Sequence, residues 1–215
     1  MKQTTSLTGH RDEKNNNRNY FLLNMNTELA EFVGILLGDG SINIYPKINH
    51  YRLKITLNSK EIKYANYVQN LFLGLFDSEL KLSFRKNENT LDLLCFNRKI
   101  IRQLIQLGFV SSTKWNRARI PEQFMNKKLG KHVLRGYFDT DGCVAITNNN
   151  GTVYPRLEMK IMPSPMKEQF QELLDLYGFN YGVYEIGRGE VRIQMNGKIQ
   201  LEKWRNEIGF SNNKW

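Results

Sequence analysis

Two carboxylates offer this chain its chemistry. Asp39 ends the run Phe32-Val33-Gly34-Ile35-Leu36-Leu37-Gly38-Asp39-Gly40, and Asp141 ends Leu134-Arg135-Gly136-Tyr137-Phe138-Asp139-Thr140-Asp141-Gly142. Both runs are apolar with helical spacing, hold a small residue in the middle and stop abruptly at Asp-Gly. Gly34 with Gly38, and Gly136 with Thr140, stand one helical turn apart, so each pair shares a face on which two helices can approach backbone to backbone. If the runs pack through that face about a pseudo-twofold axis, Asp39 and Asp141 meet at the helix ends. Carboxylates side by side, each near the negative end of a helix dipole, are electrostatically poor without a cation. Hard divalent ions such as Mg²⁺ bind carboxylate and carbonyl oxygens while keeping waters, and paired ions stabilise the attacking and leaving oxygens of a phosphodiester. The backbone carbonyls of Gly38 and Thr140 are candidate further ligands, and Mn²⁺ or Ca²⁺ could take the same oxygens. The plainer reading is that each Asp-Gly only ends a helix in a tight turn. Two equivalent occurrences in a duplicated basic chain favour the metal site.

The duplication extends well past the acidic tips. Gly108-Phe109 follows Asp39, and Gly209-Phe210 follows Asp141, at spacings that differ by a single residue. Small polar residues then lead to Lys114-Trp115 in one copy and Lys214-Trp215 in the other. A period this long, present twice, indicates a duplicated domain rather than a solenoid. The 31 Lys and Arg against 21 Asp and Glu, for a net charge of +10, point to a polyanionic partner, nucleic acid before an acidic membrane surface. No apolar run approaches the roughly 18 residues of a spanning helix, and residues 1–26 show no signal-peptide core. An intracellular setting is expected: the cytoplasm or nucleoid of a prokaryote, or an organelle matrix. Cys95 and Cys143 lack zinc-type spacing and sit in predicted strands, so buried reduced thiols are expected.

These residues need elements to position them. Residues 1–26 read as a polar arm. From Thr27, the expected N-cap, a helix leads to the first Asp-Gly. Ser41–Tyr45 and Arg52–Asn58 alternate as half-buried strands. A helix through Ile62, Val68 and Phe72, strands at Leu80–Arg85 and Thr90–Phe96, and a helix from Lys99 to Leu107 complete the first copy. The second repeats that order. The predicted fold is α+β: two pseudo-symmetric αββαββα subdomains over residues 27–113 and 132–215, each a four-stranded antiparallel sheet backed by helices, joined by a basic connector over residues 114–131.

The paired runs, the small-residue seam, the strand-rich remainder and the Ile120-Pro121 connector together resemble the single-chain, two-motif LAGLIDADG homing endonucleases. The likeness covers about Thr27 to Trp215. It implies a DNA-binding saddle and a site-specific, metal-dependent double-strand break across the minor groove by activated water. The metal-binding acids of that family match Asp39 and Asp141. The sixth motif position, Leu37 and Asp139, is not a ligand, so Asp139 stays outside the catalytic set. Basic or polar residues that organise solvent near the metals would be Asn58, Lys60 and Lys160 after the second strand of each copy, with Lys99 and Lys198 after the fourth.

One sheet face would lie under helices and leave the other free. On the first copy that free face is expected to show Ser41, Asn43, Tyr45, Lys47, Arg52, Lys54, Thr56, Lys81, Ser83 and Arg85. The second is expected to show Thr147, Arg156, Glu158, Lys160, Tyr184, Arg188, Arg192 and Gln194. A twisted β-ribbon fits the major groove, where Arg pairs with guanine and Asn or Gln with adenine, while lysines hold phosphates. The expected partner is double-stranded DNA, bound by a monomer. The alternative is an RNA maturase or DNA-binding regulator of the same fold, with its own intron RNA as partner. Both motif acids are present, which favours cutting. No Cys or Ser opens the chain and no His-Asn closes it, so a free-standing intron-encoded enzyme is expected rather than a self-splicing insert. Because the two copies differ at most face positions, DNA selected from a random duplex pool is expected to be long and asymmetric; a palindromic consensus would contradict the assignment of the two faces.

Overall fold

The computed structural model describes residues 23–215, the Asn149 side chain excepted, so the arm expected over residues 1–26 lies almost wholly outside the described residues. The first half runs α1 (Thr27–Leu37), β1 (Gly40–Tyr45), β2 (His50–Asn58), α2 (Ile62–Phe76), β3 (Lys81–Phe84), β4 (Thr90–Cys95) and α3 (Arg98–Leu107). The second repeats it with α4 (Gly130–Asp141), β5 (Gly142–Asn149), β6 (Thr152–Ile161), α5 (Met166–Leu176), β7 (Gly182–Gly187), β8 (Glu190–Asn196) and α6 (Lys198–Glu207). Two four-stranded antiparallel sheets result, ordered β1-β2-β4-β3 and β5-β6-β8-β7. The α+β class and the element order match the sequence pattern.

Alternation in the strands decides which face is buried. Ile42, Leu53, Ile55, Leu57, Leu91 and Leu93 pack under the helices in one half, as do Leu157, Met159, Ile161, Val191 and Ile193 in the other. Their neighbours in sequence stand on the opposite, polar face. The halves join through α1 and α4, which contact each other more extensively than any other pair of helices. A Cβ on Gly34 would land on the Val133 carbonyl, and one on Gly136 on the Glu31 carbonyl. Glycine is therefore required at both positions, because what the added carbon meets is backbone. At the other end of the seam the buried Glu31 accepts hydrogen bonds from Arg135 of α4 and, at 2.7 Å, from the Tyr67 hydroxyl of α2.

Several local expectations change. The N-cap of α1 is Asn26, not Thr27: its side chain accepts from the Leu29 N–H at 2.8 Å, and the Thr27 hydroxyl turns instead to Glu28. Cys95 is buried but Cys143 is exposed, because β5 leaves Gly142 with Cys143 on the polar face. The connector is more than a basic crossing. Ala118, Ile120, Phe124 and Leu129 are buried, and Gln169 of α5 holds both the N–H and the carbonyl of Ile120, at 2.7 and 2.8 Å.

Overpacking against an immovable backbone lies at the upper end of the usual cost. Gly34→Ala and Gly136→Ala are each expected to destabilise by about 3 kcal/mol in urea titration. Gly74→Ala serves as control, since nothing lies within 4 Å of a Cβ there. It is expected to stabilise α2 by up to about 1 kcal/mol through helix propensity.

Candidate functional site

Asp39 leaves the end of α1 and Asp141 is the last residue of α4, so the seam that joins the helices also brings their tips together. A Cβ on Gly38 would meet the Thr140 side chain and lie 3.2 Å from Asp141 Oδ2. Thr140 points its hydroxyl back into its own helix, donating to the Tyr137 carbonyl at 2.9 Å. The Thr56 N–H of β2 holds the Asp39 carbonyl at 3.2 Å, which fixes the acid to the inner end of the first sheet. Burial, and then the Asp141 carboxylate, push Asp39 up to about 7. Burial raises Asp141 as well.

Two lysines oppose the rise of both acids, and both come from the repeated Lys-Trp. Lys114 is half-buried at the tip of α1, where its ammonium donates to the carbonyls of Gly38 and, at 2.5 Å, Leu37. A cation at the negative end of a helix satisfies carbonyls that have no partner within it. Burial lowers Lys114 to about 8, while Asp141 and Asp39 work against that fall. Lys214 pairs with Glu61 at 3.2 Å and lies 4.6 Å from the centre of the Trp215 ring, which itself packs on Phe138 and Phe210. Its charge reaches both acids. Neither lysine stood among the predicted site residues; the one signal for them was the recurrence of Lys-Trp at the end of both copies.

The nominated basic residues separate into two groups. Lys160 is electrostatically coupled to Asp141 and pairs with Glu190 at 2.9 Å. Asn58 caps the turn that carries Lys60, its Oδ1 accepting from the Lys60 N–H at 3.0 Å, at the inner end of β2. Lys99 and Lys198 open α3 and α6 beyond Cys95 and Asn196, where the strands face Leu53 and Arg156 and run outward from the acids. They lie at the outer ends of the sheets and not beside Asp39 and Asp141. Asp139 is buried and faces elsewhere. It accepts the Ser211 N–H at 2.7 Å and, through its carbonyl, the Asn212 amide at 3.1 Å, so it secures the segment that delivers Lys214.

The polar faces flank this pair of tips. Ser41, Lys54 and Lys81 share one row across the first sheet with Leu94; Thr56 and Ser83 share the next with Asp92, and Asn43 pairs with Arg52. Asp92 carries a charge the strand pattern had not flagged. Burial works against its ionisation, yet hydrogen bonds from Arg85 and Thr56 hold it below the ordinary carboxylate range. Arg85 is thereby engaged, at 2.9 Å through both Nε and Nη2. On the second sheet Glu158 and Gln194 share a row, as do Lys160, Arg192 and Tyr184, with Arg156 one step further out. Glu158 lies between Arg156 and Arg192, at 3.4 and 3.6 Å. Tyr45 and Thr147 stand at the outer strand ends, while Lys47 and Arg188 sit in turns rather than in strands. No helix among the described residues is long and apolar enough to cross a membrane.

A family profile described as a LAGLIDADG-like domain matches residues 131–209. The chain is 27% identical over 175 residues to the DNA polymerase of Methanocaldococcus jannaschii, which covers 72% of this chain and 9% of that protein. It spans under a tenth of the length of the curated relatives it matches. The crystal structure of the I-LtrWI LAGLIDADG homing endonuclease bound to target DNA aligns with a TM-score of 0.59 at 13% identity, over 89% of this chain and 87% of that one. I-DmoI in complex with DNA and Mn aligns at 0.60 and 17% identity, over 86% and 97%. At such identities these structural likenesses concern the fold.

The paired acids make a measurable demand on stability. Asp39 titrates near 7 in the folded protein against an ordinary 3.8. Folding therefore takes up a proton between those values, and the contribution of Asp39 to stability falls as pH rises through that window. In EDTA at pH 8, Asp39→Asn is expected to melt above the wild type, with the difference vanishing near pH 4. Added Mg²⁺ is expected to raise the wild-type melting temperature at pH 8 and leave the variant little changed.

Proposed function

The chain carries a LAGLIDADG-like domain and has the fold of the LAGLIDADG homing endonucleases, and from that premise we propose that it cuts both strands of a specific DNA duplex in a reaction dependent on divalent metal. The observation that carries this reading is the pair of half-buried carboxylates at touching helix tips, flanked by Lys114, Lys214 and Lys160 and set between two polar sheet faces.

The donors present fit a hard cation. Asp39 and Asp141 supply two carboxylates that burial and proximity leave short of positive charge, and the Gly38 carbonyl, which accepts from the Lys114 ammonium, stands at the same tip. Among the described residues no group of three or more His, Cys, Asp or Glu could hold a metal. The remaining coordination therefore falls to carbonyl, water and phosphate oxygens, as Mg²⁺ prefers. A bound divalent ion supplies Lewis-acid activation of water and neutralisation of the phosphate. Lys114, near 8, can exchange a proton around neutral pH as well as offset phosphate charge. Lys214 and Lys160 place further charge on either side of the acids, each steadied by a carboxylate, Glu61 and Glu190. The sheet faces then hold the duplex, with arginines and amides reading base edges and lysines meeting phosphates.

Cleavage of a randomised duplex library in Mg²⁺ tests the assignment. Asp39→Asn and Asp141→Asn are each expected to abolish double-strand cutting, while affinity for the selected target stays within about threefold, since these carboxylates serve the metal more than the duplex. Lys114→Met is expected to slow cutting roughly hundredfold, the usual scale for a lost acid-base group. Double-strand cutting at the wild-type rate by either aspartate variant would overturn the site.

A further inference from the structure

The outer end of the first sheet carries a feature that neither the core nor the acidic site uses. Tyr45 ends β1, His50 opens β2 opposite it, and Phe96 follows β4 on the same side. Strand alternation puts all three on the polar face, in line with Ser41, Asn43, Arg52 and Lys54. Their rings form a continuous row, with centroids 5.8 Å apart from Tyr45 to His50 and 6.0 Å from His50 to Phe96. Tyr45 is 48% and Phe96 50% exposed. Half-exposed rings gathered on a cationic surface are a poor use of apolar area unless something covers them.

The row is fixed from behind. Asn49, in the left-handed conformation at the hairpin turn, accepts a hydrogen bond from Arg98 of α3 at 3.0 Å. Arg98 and Arg102 both lie over Tyr51, on the helix side of β2, at 5.2 and 5.7 Å from the ring centre. A surface held this way loses little freedom when it binds. The second sheet lacks the feature: register puts Thr147, Tyr154 and Asn196 in the corresponding places, a single ring among polar side chains.

What would cover the row follows from the proposed duplex partner, on which this inference rests. In the major groove the one apolar group on any base pair is the C5 methyl of thymine. Tyr45 lies six residues beyond Asp39, or about 20 Å at about 3.3 Å per residue, which corresponds to roughly six base pairs at about 3.4 Å each. We propose that Tyr45, His50 and Phe96 form a thymine-methyl reader, contacting the target roughly six base pairs from its centre on one side only. Arg52 and Lys47, beside the row, supply the charge to hold the flanking phosphates.

The test removes the methyl and nothing else. Selection from random duplex DNA is expected to enrich thymine within about two base pairs of that position in one half-site and not in the other. Replacing that thymine with deoxyuridine is expected to weaken wild-type binding about fourfold per methyl contacted. Phe96→Ala is expected to bind the thymine target several-fold more weakly and no longer to distinguish it from the deoxyuridine target, while Tyr154→Ala keeps the distinction. The wild-type comparison of the two DNAs stands on its own should Phe96→Ala fail to fold. Equal wild-type affinity for the two, a thymine/deoxyuridine difference that survives Phe96→Ala, or no enrichment of thymine would each overturn the reader while leaving specific cutting intact. Failure to select any specific DNA would overturn the duplex reading and the reader together.

Discussion

Two helices touch here backbone to backbone, and everything functional depends on that contact. Any side chain at Gly34 or Gly136 would strike a carbonyl of the opposing helix, so α1 and α4 can come this close only where the sequence supplies no side chain. The same closeness puts two aspartates together in a half-buried place, where burial raises both and the Asp141 carboxylate further opposes the ionisation of Asp39. Binding free energy for a cation is thus stored in the fold: whatever relieves the repulsion gains what the seam has spent. Glu31 and Arg135 play the complementary part at the far end of the seam, where a buried acid is met by a guanidinium and a tyrosine hydroxyl. One end of the helix pair is neutralised within the protein, whereas at the other Asp39 stays raised in spite of Lys114 and Lys214.

The lysines keep the strained end tolerable without closing it. Lys114 satisfies carbonyls at the tip of α1, which a helix cannot satisfy internally. Lys214 is held a little further off by Glu61 and Trp215. The chain that carries Lys214 is itself tied down by Asp139, so the one acidic residue of the second helical run that does not face the tips acts through the backbone. Two near-identical Lys-Trp pairs therefore reach one site by different anchorage, one on carbonyls and one on a carboxylate.

Much of this arrangement could be read from the residues. Strand alternation and the doubled Asp-Gly gave the sheets, their polar faces and the meeting of the acids, because period and burial are tied together by geometry. Lys114 and Lys214 escaped notice as site residues because nothing local marks a lysine as lying near a distant acid; only the returning tail of each copy brings it to the helix tips. Lys99 and Lys198 were equivalent by position yet lie at the outer ends of the sheets, since equivalence between copies says nothing about distance from the acids. Asp92 was missed for a related reason. In sequence it is one acid in an apolar strand, and its partners come from β2, which carries Thr56, and from Arg85 just beyond β3. Cys143 turned outward because β5 starts at the residue before it, so a shift of one position chose the face.

The register also shows how a duplicated protein can become asymmetric without losing electrostatic balance. Lys54 and Glu158 occupy equivalent places, opposite Ser41 and Cys143, and Asp92 and Arg192 do the same, opposite Thr56 and Lys160. Between the halves the two signs have changed places. In the first, the cation is on the second strand and the acid on the fourth; in the second, the acid is on the second strand and the cation on the fourth. Each diagonal pair remains opposite in charge, with Lys54 helping to hold Asp92 ionised and Glu158 lying 3.6 Å from Arg192. A single reversal would have put like charges on neighbouring strands, which is destabilising. The paired reversal keeps that diagonal attractive, while Lys160, which stands directly opposite Arg192, is offset by Glu190, so the two halves of the scaffold present their donors in different patterns.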